Sequence, residues 1–210
     1  MTILWVAVGI AAGFVAFTLG WRWASRIWSL PCPSVTAWMV DNPIAQRRTR
    51  TTLGRLGLQP GQRILEIGPG PGRLLIPAAQ CVLPGGEAVG IDIQPGMIDR
   101  LKLKAAKMGV TNVTAILGDA AQSHVPPGSF DLVFLCTALG EIPDRAAALA
   151  QSFQALKPGG VLSITEIFGD PHYQRRSVVK RLAEAAGFEL RSIQGGWFMY
   201  TANFVKPTSR

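Results

Sequence analysis

Short apolar runs alternate with amphipathic stretches along the chain from Arg63 to its end. Apolar runs of about four to eight residues bounded by turn residues are typical of buried strands, whereas apolar residues at helical spacing are typical of helices. Seven runs have strand character: RILEIG (63–68), AVGIDI (88–93), VTAILGD (113–119), FDLVFLC (130–136), VLSITEI (161–167), FELRSIQ (188–194) and FMYTANFVK (198–206). The last two flank Gly195 and Gly196 and are predicted to form a terminal hairpin.

Helices are predicted between these strands from apolar spacing and from residues that favour helix ends. Pro95 suits the first turn of a helix, and Gly109 ends the same helix. Asp144 can cap a helix that runs to about residue 156, and the KPGG stretch at 157–160 is predicted to end it before the fifth strand. Gly187 ends a last helix. The order of elements predicts an α/β fold with a doubly wound, mostly parallel seven-stranded sheet and helices on both faces.

The first 21 residues follow a different pattern, because none of them carries a charged side chain. Residues 3–21 are long enough to cross a hydrocarbon core as a helix, which takes about 20 apolar residues. Tryptophans stand near both ends, and Arg22 and Arg26 follow at once, which predicts an N-terminal transmembrane helix with its carboxyl end in the cytoplasm. A cleaved signal peptide and a buried core helix are the alternatives, and the basic leader of a signal peptide is missing.

Gly9 and Gly13 lie one helical turn apart within this predicted span. Such a pair lets two membrane helices approach closely, so a homodimer through this face is one hypothesis, and the ordinary abundance of glycine in membrane helices is the other. Pro31 and Pro33 then break the helix, and residues 34–58 are predicted to be helical. The predicted domains are a transmembrane anchor with an interfacial segment (1–30), a linker with lid-like helices (31–60) and an α/β domain (61–210).

The formal net charge of the chain is +8, and it is unevenly spread. Residues 1–63 carry seven Lys or Arg and one Asp, whereas residues 64–210 carry fourteen basic and twelve acidic side chains. Basic residues beside an apolar span favour a membrane surface as the partner. Nucleic acid is not expected, because it would require a basic stripe with interleaved aromatics on the folded domain. The predicted location is the membrane, single-pass, with the α/β domain in the cytoplasm.

Cys32, Cys81 and Cys136 are the three cysteines of the chain. Their odd number and wide spacing disfavour a metal site and a disulfide framework, so reduced thiols in a cytosolic domain are predicted. Palmitoylation of Cys32, beside the predicted membrane edge, is a further hypothesis.

Candidate chemistry begins where the first strand ends. Ligands of doubly wound sheets bind beyond the carboxyl ends of the strands, near the point where the strand order reverses. Glu66 stands near the end of the first strand, and Gly68, Gly70 and Gly72 follow in a loop that a ligand can approach closely. A dinucleotide fingerprint requires its third glycine at position 73, where this chain has Arg73. A nicotinamide-dependent oxidoreductase is therefore the less favoured alternative.

Two further acids follow the next two strands. Asp92 ends the second strand, twenty residues after Gly72, and Asp119 follows the third. A carboxylate at the first position can accept hydrogen bonds from both ribose hydroxyls of an adenosine, and one at the second can meet the N6 amine of adenine. The alternative for either acid alone is a strand-end cap or a turn residue.

The motifs EIGPGPG, GID, GDA, FDLV and LKPGG, in this order and spacing, resemble those of class I S-adenosylmethionine (SAM)-dependent methyltransferases. The resemblance covers roughly residues 50–206 and is nearest to the small-molecule branch that includes ubiquinone and menaquinone C-methyltransferases. It implies a Rossmann-like methyltransferase domain at 61–210 and SAM as the cofactor. The implied binding residues are Glu66, Gly68, Gly70 and Gly72 at the methionine part, Asp92 at the ribose, Asp119 at the adenine, and Ile93 and Ala120 next to these two acids. One departure is the CTALGEIPD stretch at 136–144, where that branch often has histidines.

The predicted function is SAM-dependent methyl transfer to a small acceptor that is lipophilic or delivered at the membrane. Alignment and desolvation are the main contributions of such an enzyme, and an acceptor with a proton to lose also needs a base. His172 and Glu141 are the candidate bases, with Asp170 and Tyr173 beside them, and solvated loop residues are the alternative. His124 is predicted to lie at the surface. A non-catalytic, membrane-associated partner protein with the same fold is the other alternative.

Overall fold

The computed structural model describes residues 43–208 as a continuous chain, together with six isolated positions before them: Trp5, Gly9, Ala12, Gly13, Ala16 and Gly20. The elements of the continuous part are α1 (Pro43–Leu56), β1 (Arg63–Ile67), α2 (Leu75–Cys81), β2 (Glu87–Asp92), α3 (Pro95–Lys107), β3 (Val113–Leu117), β4 (Phe130–Cys136), a 3-10 helix (Leu139–Glu141), α4 (Arg145–Ala155), β5 (Leu156–Ile167), α5 (Arg176–Ala185), β6 (Glu189–Gly195) and β7 (Met199–Val205).

The strands form one seven-stranded sheet in the order β3-β2-β1-β4-β5-β7-β6. The first five strands of the chain pair in parallel, whereas β7 is antiparallel to both β5 and β6. This confirms the predicted doubly wound, mostly parallel sheet and its terminal hairpin. The chain moves outward from β1 to β3 and returns to β4 on the other side of β1, so the strand order reverses between β1 and β4, where ligands of such sheets bind.

Two apolar cores lie on opposite faces of the sheet. Neighbouring side chains of a strand point to opposite faces, so Ile64 belongs to the core with Leu75 of α2, and Leu65 belongs to the core with Leu149 of α4 and Val179 of α5. All five side chains are almost completely buried. Each contributes about 1.5 to 3 kcal/mol through removal of its surface from water, which fixes β1 rigidly between the helix layers.

Helix α1 packs against β7 through polar contacts. The Asn203 side chain donates to the Arg55 carbonyl at 3.1 Å, and the Arg55 guanidinium donates to the Thr201 hydroxyl at 3.4 Å. Thr201 in turn shares a hydrogen bond of 2.9 Å with Thr165 of β5. Buried polar groups of this kind fix orientation, because each needs a partner in place. One result is that Thr49 of α1, itself buried, lies beside the loop that follows β1.

The predicted helix ends are confirmed at several positions. Pro95 stands at the start of α3, and Gly109 follows that helix with a φ of 65°. The Asp144 carboxylate accepts a hydrogen bond from the Ala147 N–H at 2.9 Å and so caps α4. Gly187 follows α5 with a φ of 97°, a conformation that favours glycine.

The helix α4 ends before the KPGG stretch, as predicted, but the stretch belongs to β5, which the sequence predicts only from residue 161. Helix α4 ends at Ala155, and β5 starts directly at Leu156 and includes the stretch. The Gly159 N–H donates to the Lys206 carbonyl and the Lys206 N–H donates to the Gly160 carbonyl, both at 2.9 Å. Pairing with a segment almost fifty residues away therefore extends the strand, and local turn residues do not reveal such pairing.

The predicted location at the membrane is corrected by the structure. The predicted span at 3–21 lies mostly outside the described residues, and no helix among those that are described is both long and apolar enough to cross a membrane. The longest helix within 43–208, α1, has 14 residues, and a crossing takes about 20. The homodimer hypothesis for Gly9 and Gly13 depended on this span and has no support.

The lid-like helices predicted at 34–58 correspond in part to α1, and residues 34–42 lie outside the described part. Cys32 also lies outside it, whereas Cys81 and Cys136 are free thiols, as predicted. The division at residue 61 stays a prediction.

Candidate cofactor site

A cavity opens at the carboxyl ends of β1 to β4, at the reversal of strand order. Its lining consists of residues 66–71, 73 and 74 at and after the end of β1, residues 91–94 and 97 around the end of β2, residues 118–120 after β3, and residues 136–138 and 141–143 at and after the end of β4. The structure therefore brings together seven of the eight predicted cofactor residues: Glu66, Gly68, Gly70, Asp92, Ile93, Asp119 and Ala120. Gly72, the eighth, lies behind this lining, in the loop.

The three glycines of the loop have different steric surroundings. All have positive φ angles, of 71°, 53° and 81° at Gly68, Gly70 and Gly72. A side chain at Gly68 would collide with Ala138, and one at Gly72 would collide with Leu101 and Ile76. A Cβ at Gly70 would meet nothing nearer than the Met97 sulfur at 4.0 Å, so this glycine keeps a space open beside the cavity.

Asp92 joins the loops that follow β1 and β2. Its Oδ2 accepts from the Gly70 N–H at 3.1 Å, and its Oδ1 accepts from the Gln94 N–H at 2.9 Å. Burial raises the pKa of this carboxyl, and the two backbone hydrogen bonds oppose the rise. Each carboxylate oxygen has a second lone pair, so the turn role of Asp92 is compatible with accepting ribose hydroxyls as well.

Asp119 lines the same cavity from the loop that follows the neighbouring strand β3. Its Oδ1 accepts from the Ala121 N–H at 2.9 Å, and the preceding Gly118 N–H donates to the Asp92 carbonyl at 3.0 Å. His124 is half-buried behind this loop and contacts the Asp119 carbonyl, contrary to the prediction that it lies at the surface.

Glu66, which the sequence predicts to lie at the methionine part of the cofactor, is buried. Burial raises its pKa to about 8, although the Arg73 guanidinium and the Leu75 N–H oppose the rise. Its Oε2 is buried and has no hydrogen-bond partner within residues 43–208. A carboxyl oxygen in this state fits a ligand that brings a cationic donor, such as the ammonium group of an amino acid.

Arg73 is a site residue that the sequence does not reveal, because its role depends on contacts that only the folded chain creates. Its guanidinium donates to the Thr49 hydroxyl at 2.8 Å and to the Cys136 sulfur at 3.5 Å. Burial raises the pKa of the Cys136 thiol to about 11, so the thiol is neutral. Arg73 therefore places a positive charge at the cavity wall beside Glu66, between α1 and the end of β4.

Thr137, directly after β4, has a φ of 55° and is the one non-glycine residue with a positive φ in the described part of the chain. Its N–H donates to the Thr165 carbonyl at 2.9 Å, and its hydroxyl donates to the Cys136 carbonyl at 2.7 Å. Such a conformation costs about 1 to 3 kcal/mol and is often found at functional sites. It turns the chain from the sheet into the 3-10 helix along the cavity, and no sequence signal marks it.

The two predicted bases are placed differently. Glu141 lines the cavity from the 3-10 helix, whereas His172 does not line it and is only 6% exposed. The His172 N–H donates to the Asp170 carboxylate at 2.8 Å, and its carbonyl accepts from the Gln174 side chain at 2.7 Å. His172 also packs against Gly140, where no side chain would fit, so it supports the 3-10 helix from behind.

An exposed group of aromatic rings lies at the carboxyl end of β5 and in the β6–β7 turn. Phe168 stacks edge-on with Tyr173 at 5.6 Å and with Trp197 at 5.8 Å between ring centroids, and Trp197 does so with Phe198 at 5.8 Å. The Arg48 guanidinium lies 5.4 Å from the Phe198 ring centroid. We call Phe168, Trp197 and Phe198 the aromatic cluster, and it shares the sheet edge with the cavity.

The strand order with an antiparallel β7, the glycine loop and the two strand-end acids define a Rossmann-like methyltransferase fold. A SAM dependent methyltransferase from Aquifex aeolicus has the same fold, with a TM-score of 0.77 over 83% of this chain and 99% of that one. The two sequences are 19% identical, so this likeness shows the fold alone.

Residues 64–160 match the family described as methyltransferase domain, which supports SAM as the cofactor. Two curated relatives are the nocamycin O-methyltransferase of Saccharothrix syringae, 37% identical over 59% of this chain and 42% of the relative, and the demethylmenaquinone methyltransferase of Geobacillus kaustophilus, 34% identical over 51% and 46%. The chain spans about half the length of the curated relatives that it matches. The matched region is thus similar to the methyltransferase domains of these relatives.

Proposed function

We propose that the protein transfers the methyl group of SAM to a small lipophilic acceptor. The carrying observation is that one cavity, at the reversal of strand order, is lined by a buried acid with one carboxyl oxygen that has no partner within residues 43–208, by an open glycine position and by two strand-end carboxylates. These groups match an amino acid, a ribose and an adenine in that order along the cavity.

Four side chains would hold the cofactor. Glu66 would accept from its ammonium group and Arg73 would pair with its carboxylate, as two opposite charges suit a zwitterion. Asp92 would accept from the ribose hydroxyls. Asp119 would accept from the adenine amine, with Ile93, which is 57% exposed, covering the purine ring. Bound SAM supplies an electrophilic methyl group on a sulfonium.

The chain itself contributes alignment and the exclusion of water. The turn at Thr137 and the 3-10 helix after it line the cavity, and they would separate the bound cofactor from the acceptor. An acceptor that must lose a proton would give it to Glu141, the better placed of the two candidate bases. His172 would act through Gly140 as a support.

The aromatic cluster favours an acceptor with a planar apolar ring. Trp197 and Phe168 are 75% and 46% exposed, and an apolar ring stacked on them would remove this surface from water. Two curated relatives are named for demethylmenaquinone and aklanonic acid as the compounds they methylate, which agrees with a ring-containing acceptor.

The test is isothermal titration of SAM and of NAD into the full-length chain. We expect micromolar binding of SAM, no binding of NAD, and loss of SAM binding in Asp92→Ala. Asp99→Ala, which removes an exposed acid from the neighbouring helix α3, is the matched control and should bind as the wild type does. A folded wild-type protein that binds NAD, or neither compound, would contradict the proposal. Methyl transfer to ring compounds, weakened in Trp197→Ala, would then test the acceptor class.

A further inference from the structure

His124 is held tightly against the loop that carries Asp119. Its Nε2 lies 2.9 Å from the Asp119 carbonyl oxygen. The same carbonyl accepts from the Gln122 N–H at 2.9 Å. Since a carbonyl oxygen only accepts, the proton is assigned to Nε2 of the imidazole. The main chain at Asp119 is therefore held from two sides.

The imidazole ring also covers Gly118. A Cβ at this position would lie 2.5 Å from Nε2 and 2.6 Å from Cε1 of His124, and these two atoms are the nearest to it. The φ angle of Gly118 is outside the left-handed region, so the ring, and not the backbone, requires glycine here. The Gly118 N–H donates to the Asp92 carbonyl at 3.0 Å. The ring thus packs against the loop after β3 at the residue that is hydrogen-bonded to the end of β2.

This arrangement sets the direction of the Asp119 carboxylate. Oδ1 accepts from the Ala121 N–H at 2.9 Å, and no group within residues 43–208 donates to Oδ2. Asp119 lines the cavity, whereas His124 does not. A change at His124 therefore reaches the cavity through the backbone of Gly118 and Asp119, which the ring contacts.

We propose that His124 is a positioning residue that fixes Asp119 for recognition of the exocyclic amine of adenine, so that the site selects 6-aminopurines over 6-oxopurines. The inference rests on the proposed function. A carboxylate held in place faces the amine at C6 of adenine, which donates hydrogen bonds. In hypoxanthine it would face the carbonyl oxygen at C6, and two acceptors repel each other. On a loosened loop the carboxylate can move to the N1–H of hypoxanthine, and the selection is lost.

The experiment compares the binding of S-adenosylhomocysteine and S-inosylhomocysteine to the full-length chain by calorimetry. We expect the wild type to prefer the adenosine compound by about 100-fold and His124→Ala to lower this ratio by about tenfold. His124→Gln, whose amide can donate from nearly the same place, should keep most of the ratio. Ser123→Ala changes an exposed neighbour on the same loop and should keep all of it.

Gly118→Ala supplies a second variant, which moves the ring without removing it. It should lower the ratio as His124→Ala does, and it should destabilise the ligand-free wild type in urea unfolding but have little effect in the His124→Ala background. This variant also carries the test if His124→Ala does not fold. An unchanged ratio in both variants, or additive unfolding effects, would overturn the inference alone. A folded wild type that binds neither compound would overturn the proposed function with it.

Discussion

Glu166 allows a quantitative test of how the fold tolerates a buried acid. The side chain is 1% exposed, and its Oε2 accepts from the Gln174 N–H at 3.0 Å. Its Oε1 is buried and has no hydrogen-bond partner within residues 43–208. Burial raises the pKa from 4.5 to about 8, with Asp170 and Glu141 adding to the rise and Arg145 opposing it. The perturbation is Glu166→Gln, which keeps the acceptor for Gln174 and cannot ionise.

The expected effect follows from the two pKa values. The folded protein holds the proton of Glu166 up to about pH 8, whereas the unfolded chain releases it near pH 4.5, so folding becomes less favourable as the pH rises between these values. One pKa unit corresponds to about 1.4 kcal/mol, which gives a cost of about 1 kcal/mol at pH 5 and about 4 kcal/mol at pH 8. Glu166→Gln escapes this cost. Its free energy of unfolding relative to wild type should therefore rise by about 3 kcal/mol from pH 5 to pH 8.

The assay is urea unfolding of the full-length chain at pH 5, 6, 7 and 8 without ligand. Glu189→Gln removes the same charge from an exposed position on the edge strand β6 and is the matched control, with a change of less than about 0.5 kcal/mol expected. A difference between Glu166→Gln and wild type that stays constant or shrinks with pH would refute the reasoning, because it would show that Glu166 is ionised in the folded protein.

Three further predictions concern the cavity and its frame. Gly72→Ala should lower the free energy of unfolding by about 2 to 4 kcal/mol, because the new side chain would collide with Leu101 at a positive φ. Gly70→Ala should lower it by only about 1 kcal/mol in urea unfolding and yet abolish SAM binding. Equal stabilities of the two variants would contradict this prediction. SAM binding at pH 7 should release about one proton, because the ammonium group of the ligand would lower the raised pKa of Glu66. Calorimetry in buffers of different ionisation enthalpy measures this release. Glu66→Gln should release none. Asp144→Ala should cost about 1 kcal/mol in thermal unfolding through loss of the α4 cap, without changing SAM affinity, and a change in affinity would show that α4 shapes the cavity.

The strands could be predicted because buried parallel strands leave an unambiguous trace in the sequence. The run FDLVFLC was expected at 130–136, and β4 has these bounds. Runs of this kind need no partner to be recognised, since both faces are apolar. The start of β5 could not be predicted in the same way. Pro158 and Gly159 indicate a turn locally, and only pairing with Lys206, which is distant in sequence, keeps them in a strand.

The site was predictable where a residue type and a strand end coincide. Asp92 and Asp119 follow strands whose carboxyl ends meet at one edge, so their place at the cavity follows from topology. Arg73 and His124 could not be recognised, because their roles depend on contacts with Thr49 and Asp119 that only the folded chain creates. The φ of Thr137 leaves no trace in composition.

Glu66 and Glu166 show why a buried acid does not by itself define a site. Both have a pKa raised to about 8 by burial, and both have one carboxyl oxygen without a partner in the described part of the chain. Of the two acids, only Glu66 lines the cavity. A cationic ligand should therefore lower the pKa of Glu66 and leave that of Glu166 unchanged. The cost of burying Glu66 is then recovered when the ligand binds, whereas the cost of burying Glu166 persists, and this difference separates a binding group from a structural one.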